Sequence, residues 1–238
     1  MSLENNKLFA STYKALDWAF ENLCVKCVFD LGANTGGWVG YWLKKEEMEE
    51  YHLFEPVPDL APALQALAQE DPRIVFNQVA VGDKPSRVKD VSVYNTWTLL
   101  STSQVKGVAR AREYRSQPTF EMGVVTLDDY IKETGARPDF IKVDVDGYEL
   151  RVLKGAKAFL SEFPVPMYFE YSYLPKLLGD SVEEMCRLIY ELGYRAVCMD
   201  RGYFSPDWKD MLKYLPYNTS FDIMLIHESQ LNLIIHNS

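Results

Sequence analysis

Four short stretches put carboxylates where apolar runs end. "VFDLGANTGGW" carries Asp30 ahead of Gly32, Asn34 and Gly36; "YHLFEPVP" carries Glu55; "IKVDVDGYE" carries Asp144 and Asp146; "MYFEYS" carries Glu170. The residues before each acid read as a buried strand, and an acid ending such a strand is costly to bury without a task. Acids so placed can accept a hydroxyl proton, anchor sugar hydroxyls or hold a hard cation. Glu149 differs, since it falls in the first turn of a predicted helix and reads as an acid favoured by the helix dipole.

The turn after Asp30 discriminates between ligands. Gly32-x-Asn34-x-x-Gly37 approximates the GxGxxG fingerprint of dinucleotide sites, with Glu55 in the place of the acidic ribose partner. A pyrophosphate needs positive potential, yet no Lys or Arg lies between Val28 and Trp42. A carboxylate at this strand tip attracts a cation-bearing nucleoside instead, and S-adenosylmethionine brings a sulfonium and an ammonium and no phosphate. The residues expected to hold it are Asp30, Gly32, Asn34, Gly36, Glu55 on the ribose hydroxyls, Val81 and Asp83 of "NQVAVGD" around the adenine, and Asp144.

These acids need a sheet whose strand tips converge. Apolar spacing predicts helices over 7–22, 36–48, 59–70, 127–133, 148–162 and 181–192, and strands over 25–31, 51–55, 73–81, 139–145, 165–171, 194–199 and 221–226. Short strands alternating with helices make a parallel sheet covered on both faces, and the helix-free connection before 221–226 reverses the last strand. Lys142 falls within a buried strand and is expected to be paired or to snorkel. Two stretches break the rhythm and read as insertions or loops on the substrate side: 82–125, which holds charged strand-like pieces and then a polar, poorly periodic segment, and 200–220, which is loop-like. The first contains Lys106, Arg110, Arg112 and Arg115, which either clamp an anionic group or form a solvated face. The second contains Tyr203, Phe204, Trp208, Tyr214 and Tyr217, which either stack on substrate rings or cover a hydrophobic edge.

With 238 residues and 47% hydrophobic content, the chain reads as one domain over 1–238, and its net charge of −9 repels nucleic acid and anionic lipid. No apolar run reaches the roughly 18 residues that span a bilayer, and the N-terminus lacks the basic-then-apolar layout of a signal peptide. A cytoplasmic protein without a membrane partner is expected, with homo-oligomerisation left open. Cys24 and Cys27 have CxxC spacing but no second short pair accompanies them, so they read as packed thiols and no metal is expected. His52 reads as a core residue, His227 lies at the far end of the reversed strand and His236 in the tail, so no histidine base is expected.

"FDLGANTGGW", "FEPVP", "VAVGD", "VVTLDDYI" and above all "DFIKVDVDGYELRVLKGA" together resemble the FkbM family of class I S-adenosylmethionine-dependent methyltransferases. The resemblance covers residues 25–171 and implies a Rossmann-like, seven-stranded fold. It also implies methyl transfer to a hydroxyl on a natural product, a sugar or a similar small molecule. The family commonly has Glu where this chain has Asp146. On this reading Asp144, Asp146 and Glu170 are the catalytic candidates, as proton acceptor or as anchor for substrate hydroxyls. Binding of Mg²⁺ by the same three acids is the less favoured role. The alternatives are an NAD(P)-dependent dehydrogenase or epimerase, and a nucleoside-binding protein without catalysis.

Overall fold

The computed structural model describes residues 12–231 apart from 46, 95–97, 102–117, 199–202, 206 and 214–219. In chain order the first elements are α1 (Thr12–Leu23), β1 (Cys27–Leu31), α2 (Val39–Trp42), β2 (Glu50–Phe54), α3 (Ala61–Glu70) and β3 (Ile74–Asn77). Next come β4 (Ala80–Val81), β5 (Ser86–Tyr94), β6 (Thr98–Ser101), β7 (Phe120–Val125), α4 (Leu127–Thr134), β8 (Phe140–Val143), α5 (Glu149–Gly155) and α6 (Lys157–Glu162). The last are β9 (Met167–Ser172), α7 (Leu174–Leu177), α8 (Val182–Glu191), β10 (Tyr194–Cys198), β11 (Tyr203–Ser205), α9 (Trp208–Lys213) and β12 (Ser220–His227).

The main sheet runs β11-β10-β12-β9-β8-β1-β2-β3. The five strands from β3 to β9 are parallel, while β12 is antiparallel to both β9 and β10. This is the Rossmann-like, mostly parallel seven-stranded sheet with a reversed last strand, and the short β11 adds an eighth strand at one edge. Alternate residues of each strand supply two cores. Phe29, Leu31, Ile141, Val143 and Phe169 face α4, α5, α6 and α8. Val28, Leu53, Phe140 and Tyr168 face α1, α2 and α3. Burial on both faces is what near-continuous apolar strands require.

Several predicted elements are shorter or divided. The helix expected over 36–48 is only Val39–Trp42; Gly36 sits at φ +79° in the turn, and no helix starts through that conformation. The strand expected over 73–81 stops at Asn77, and Ala80–Val81 pairs instead with β7. The helix expected over 148–162 divides at Ala156, whose backbone leaves the helical region at φ −110°, ψ 4°. Among the described residues of 82–125, β5, β6 and β7 are strands, and with β4 they form a second, four-stranded sheet in the order β4-β7-β5-β6. Within 200–220, β11 and α9 replace part of the expected loop.

The second sheet meets the main body at a tight crossing. A Cβ added at Gly155 would lie 1.9 Å from the carbonyl oxygen of Gly82. Alanine normally favours a helix over glycine by about 1 kcal/mol, but here the rigid backbone contact decides the sign. Gly155→Ala should lower stability by about 1–3 kcal/mol in urea denaturation. An unchanged or raised midpoint would mean that the two segments separate freely.

Candidate functional site

From β1 the chain moves outward through β2 to β3, and β8 then takes the opposite flank of β1. A crevice opens at such a reversal, outside the carboxyl ends of the strands. In this fold it is a cleft of about 760 Å³ between the strand tips and the second sheet.

Its foundation is Lys142. The buried ammonium donates to Asp30 Oδ1 at 2.9 Å and to the carbonyl of Gly32 at 2.8 Å, and lies 3.4 Å from Asp144 Oδ2. Tyr51 Oη donates to the other Asp30 oxygen at 2.9 Å. Burial works against the lysine's charge, but Asp30 and Asp144 outweigh it and raise its pKa above the ordinary lysine range. Burial, then the Asp30 charge, pushes the Tyr51 phenol well up. Sequence reasoning placed Asp30 against the cofactor's cation. The structure instead turns its fully buried carboxylate onto Lys142 and Tyr51, beneath the cleft, because a charge so deep requires a partner.

Gly32 has φ +81°, and a Cβ there would lie 1.8 Å from the carbonyl oxygen of Asp144, so the tips of β1 and β8 meet with room for hydrogen alone. Gly36 does not line the cleft; a Cβ there would lie 2.6 Å from Leu67 Cδ1, and its role is to seat the turn against α3. Asn34 does line it, and its N–H donates to Glu55 Oε2 at 2.9 Å while the Val57 N–H donates to Oε1 at 3.0 Å. Burial raises the Glu55 pKa and those two N–H groups oppose it. Each oxygen keeps a second lone pair for a hydroxyl.

Gly32, Asn34, Glu55, Val81, Asp83, Asp144, Asp146 and Glu170 all line the cleft. Glu170 lies two residues short of the end of β9, yet its neighbour β8 pairs only as far as Val143↔Phe169, so Glu170 emerges level with Asp144. Asp146 is held in a tight turn at φ +51°, followed by Gly147 at φ +103°. Burial, then the Asp144 charge, pushes both Asp146 and Glu170 up to about 7.

Sequence reasoning missed two features. Glu149 is fully buried rather than an exposed helix acid: Oε1 accepts the Gly147 N–H at 2.9 Å, and Oε2 has no partner among the described residues. Burial pushes its carboxyl up to about 8, with the Glu170 charge adding to the rise. The second is the apolar wall opposite the acids, made by Val88, Val91 and Val93 of β5 with Met122 and Val124 of β7. Its signal lay in the valines of "SRVKDVSVY", but a bulge between Val88 and Val91, with Asp90 at φ +54°, breaks the alternation that marks a strand.

The remaining candidates fall elsewhere. Trp208 packs against the main core beneath the Arg187 guanidinium, and covers an edge rather than lining the cleft. Lys106, Arg110, Arg112, Arg115, Tyr214, Tyr217 and His236 lie outside the described residues, as do the side chains of Tyr203 and Phe204. His52 is a core residue, and His227 pairs with Tyr194 at the far end of the sheet. Among the described residues, Asp144, Asp146 and Glu170 do not form a group placed to hold a metal ion. No helix among the described residues is long and apolar enough to cross a membrane.

A family model described as the methyltransferase FkbM domain matches residues 30–196. No curated protein matches the chain in sequence. Among solved structures, a methyltransferase FkbM from Methylobacillus flagellatus KT is similar with a TM-score of 0.52 and 19% identity, over 85% of this chain and 43% of that one. The chain thus spans less than half the length of that neighbour, and at this identity the likeness is one of fold. An rRNA methylase from Streptococcus thermophilus (TM-score 0.45, 11% identity) is covered over 90% of this chain and 93% of its own. A spermidine synthase from Thermotoga maritima (TM-score 0.43, 13% identity) is covered over 88% and 56%.

The proton on Glu149 has a consequence for stability. Protonated in the folded protein and ionised in the unfolded chain, the group stabilises the fold fully below its ordinary value of about 4.3 and loses that contribution as pH rises through about 8. Unfolding free energy from urea denaturation should therefore fall between about pH 5 and about pH 8, approaching about 1.4 kcal/mol per pH unit for this group. Glu149→Gln keeps the shape but cannot ionise, and should flatten the slope; equal slopes would mean that Glu149 is charged in the folded protein.

Proposed function

The chain belongs to the methyltransferase FkbM family, and from that premise we propose that it transfers a methyl group from S-adenosylmethionine to a hydroxyl of a small molecule. The observation that carries this reading is the charge of the cleft. Six acids line it, Glu55, Asp59, Asp83, Asp144, Asp146 and Glu170, against Lys84 and Arg151, while Lys142 is buried beneath. Such a lining disfavours a pyrophosphate and favours a nucleoside that carries positive charge.

The residues present fit S-adenosylmethionine. Glu55 offers both oxygens to the ribose hydroxyls, and Val81 and Phe54 offer apolar surface to the adenine with Asp83 near its amino group, while Gly32 and Asn34 line the turn beside them. When bound, the cofactor supplies an electrophilic methyl group on a sulfonium. Asp144, held beside Lys142, anchors a hydroxyl of the acceptor. Asp146 or Glu170 takes the acceptor's hydroxyl proton, and a carboxyl pushed up to about 7 is matched to that task near neutral pH. The apolar wall excludes water from the acceptor side.

Calorimetry with S-adenosylhomocysteine and with NAD tests the cofactor assignment. Binding of the first and not the second is expected, and Glu55→Ala should weaken it by about 1–3 kcal/mol, the cost of unpaired hydroxyls. Tight NAD binding would overturn the reading in favour of a dehydrogenase.

The proton acceptor can be tested once an acceptor has been found by screening hydroxylated small molecules with a labelled methyl donor. Asp146→Asn should bind S-adenosylhomocysteine nearly as the native protein does and lose about 10²-fold or more in turnover. In the native protein the rate should rise with pH through about 7 as the carboxyl ionises. Full activity of both Asp146→Asn and Glu170→Gln would leave alignment of donor and acceptor as the catalytic device.

A further inference from the structure

At the other end of the sheet, away from the cleft, the first residues of β1 and β2 lie side by side, with Cys27 opposite Glu50. His52, two residues along β2, shares their face and packs its ring 4.8 Å from that of Phe29. The Cys27 sulfur, a Glu50 carboxylate oxygen and a His52 ring nitrogen all lie within 4.8 Å of one another.

The imidazole is already oriented. Its Nδ1 is 2.7 Å from Tyr130 Oη on α4, and its Nε2 is 3.1 Å from Glu50 Oε2. The acceptor-only carboxylate makes Nε2 the N–H donor to Glu50 and Nδ1 the acceptor of the Tyr130 hydroxyl; a metal bound through Nε2 displaces that proton, and Nδ1–H then donates to the phenol oxygen, the tautomer a metal-binding histidine needs. Cys27 and His52 are 8% and 4% exposed, whereas the Glu50 side chain is 54% exposed and leaves the group open to solvent on one side. Asp139, which accepts the backbone N–H groups of Lys26 and Cys27, adds negative charge nearby, while the neighbouring Glu49 is paired with Lys26.

We propose that Cys27, Glu50 and His52 form a zinc site with water as the fourth ligand. Thiolate, imidazole and carboxylate are the donor types zinc takes, whereas Mg²⁺ and Ca²⁺ take oxygen alone. Zinc–ligand lengths of about 2.0–2.3 Å place tetrahedral ligands about 3.3–3.7 Å apart, so closure from the present arrangement needs shifts of about 1 Å. On binding, the Cys27 thiol loses its proton to solvent and the thiolate takes the metal. Cys24, the other half of the CxxC pair, is exposed and takes no part. The ion would join β1 to β2 and, through Tyr130, to α4; its role is structural, since the cleft lies at the opposite strand ends.

The full chain, stripped with a chelator and dialysed, is titrated with Co²⁺ and then with Zn²⁺. One equivalent of cobalt should give a thiolate-to-metal charge-transfer absorption that zinc abolishes, and zinc should raise the melting temperature. Cys27→Ser should lose the absorption, and Cys24→Ser should keep it. Tyr130→Phe, which removes no ligand, should bind about 10-fold more weakly, the usual scale for an outer partner of a metal-bound histidine. Absence of the absorption in the native chain, or its loss in Cys24→Ser and not in Cys27→Ser, would overturn the proposal.

Discussion

A single buried cation organises the site end of this fold. Lys142 bridges the Asp30 carboxylate on β1 and the Gly32 carbonyl in the following turn, and reaches Asp144 at its own strand tip. Removing one partner from a buried pair costs about 3–5 kcal/mol because the other is left uncompensated. Strand pairing alone would hold β1 and β8 together, but it would not aim the Gly32 carbonyl away from the cleft or hold Asp144 over it. Both follow from where the ammonium sits.

The same cation explains why neighbouring acids behave differently. It compensates Asp30 and Asp144, which lie against it. Asp146, Glu170 and Glu149 make no ion pair with it; its charge lowers Asp146 in part, but desolvation together with the negative charge of neighbouring acids outweighs it and raises all three. One positive charge among several carboxyls thus divides them into those it holds in ion pairs and those able to exchange a proton near pH 7.

Much of this was legible from the chain. Glu55 and the acids at 144, 146 and 170 could be placed because strand ends are marked by apolar runs meeting polar turns. The reversed last strand was anticipated because apolar spacing marked no helix in the connection before it, although that connection holds the short α9. Where the reading fell short, the missing information was non-local. Asp30 looked like a free carboxylate because its partner lies 112 positions away. Glu149 looked like a helix-dipole acid because nothing in its own turn reveals that α8 and β9 bury it. The strand-like pieces of 82–125 could not be joined into a sheet because a bulge at Asp90 breaks their period, and the helix after β1 was started too early because apolar spacing outweighed Gly36.

The position of β12 has a kinetic meaning. It fills the gap between β9 and β10, antiparallel to both. When β10 emerges during synthesis it cannot pair with β9, since the strand belonging between them begins only at Ser220. Until then each of the two exposes an unpaired backbone edge, and Phe169, Tyr194 and Ala196 lack a neighbour that completes their packing. The sheet closes late, through contacts distant in sequence, so the nascent chain passes through a stage in which two sticky edges must be kept from other chains.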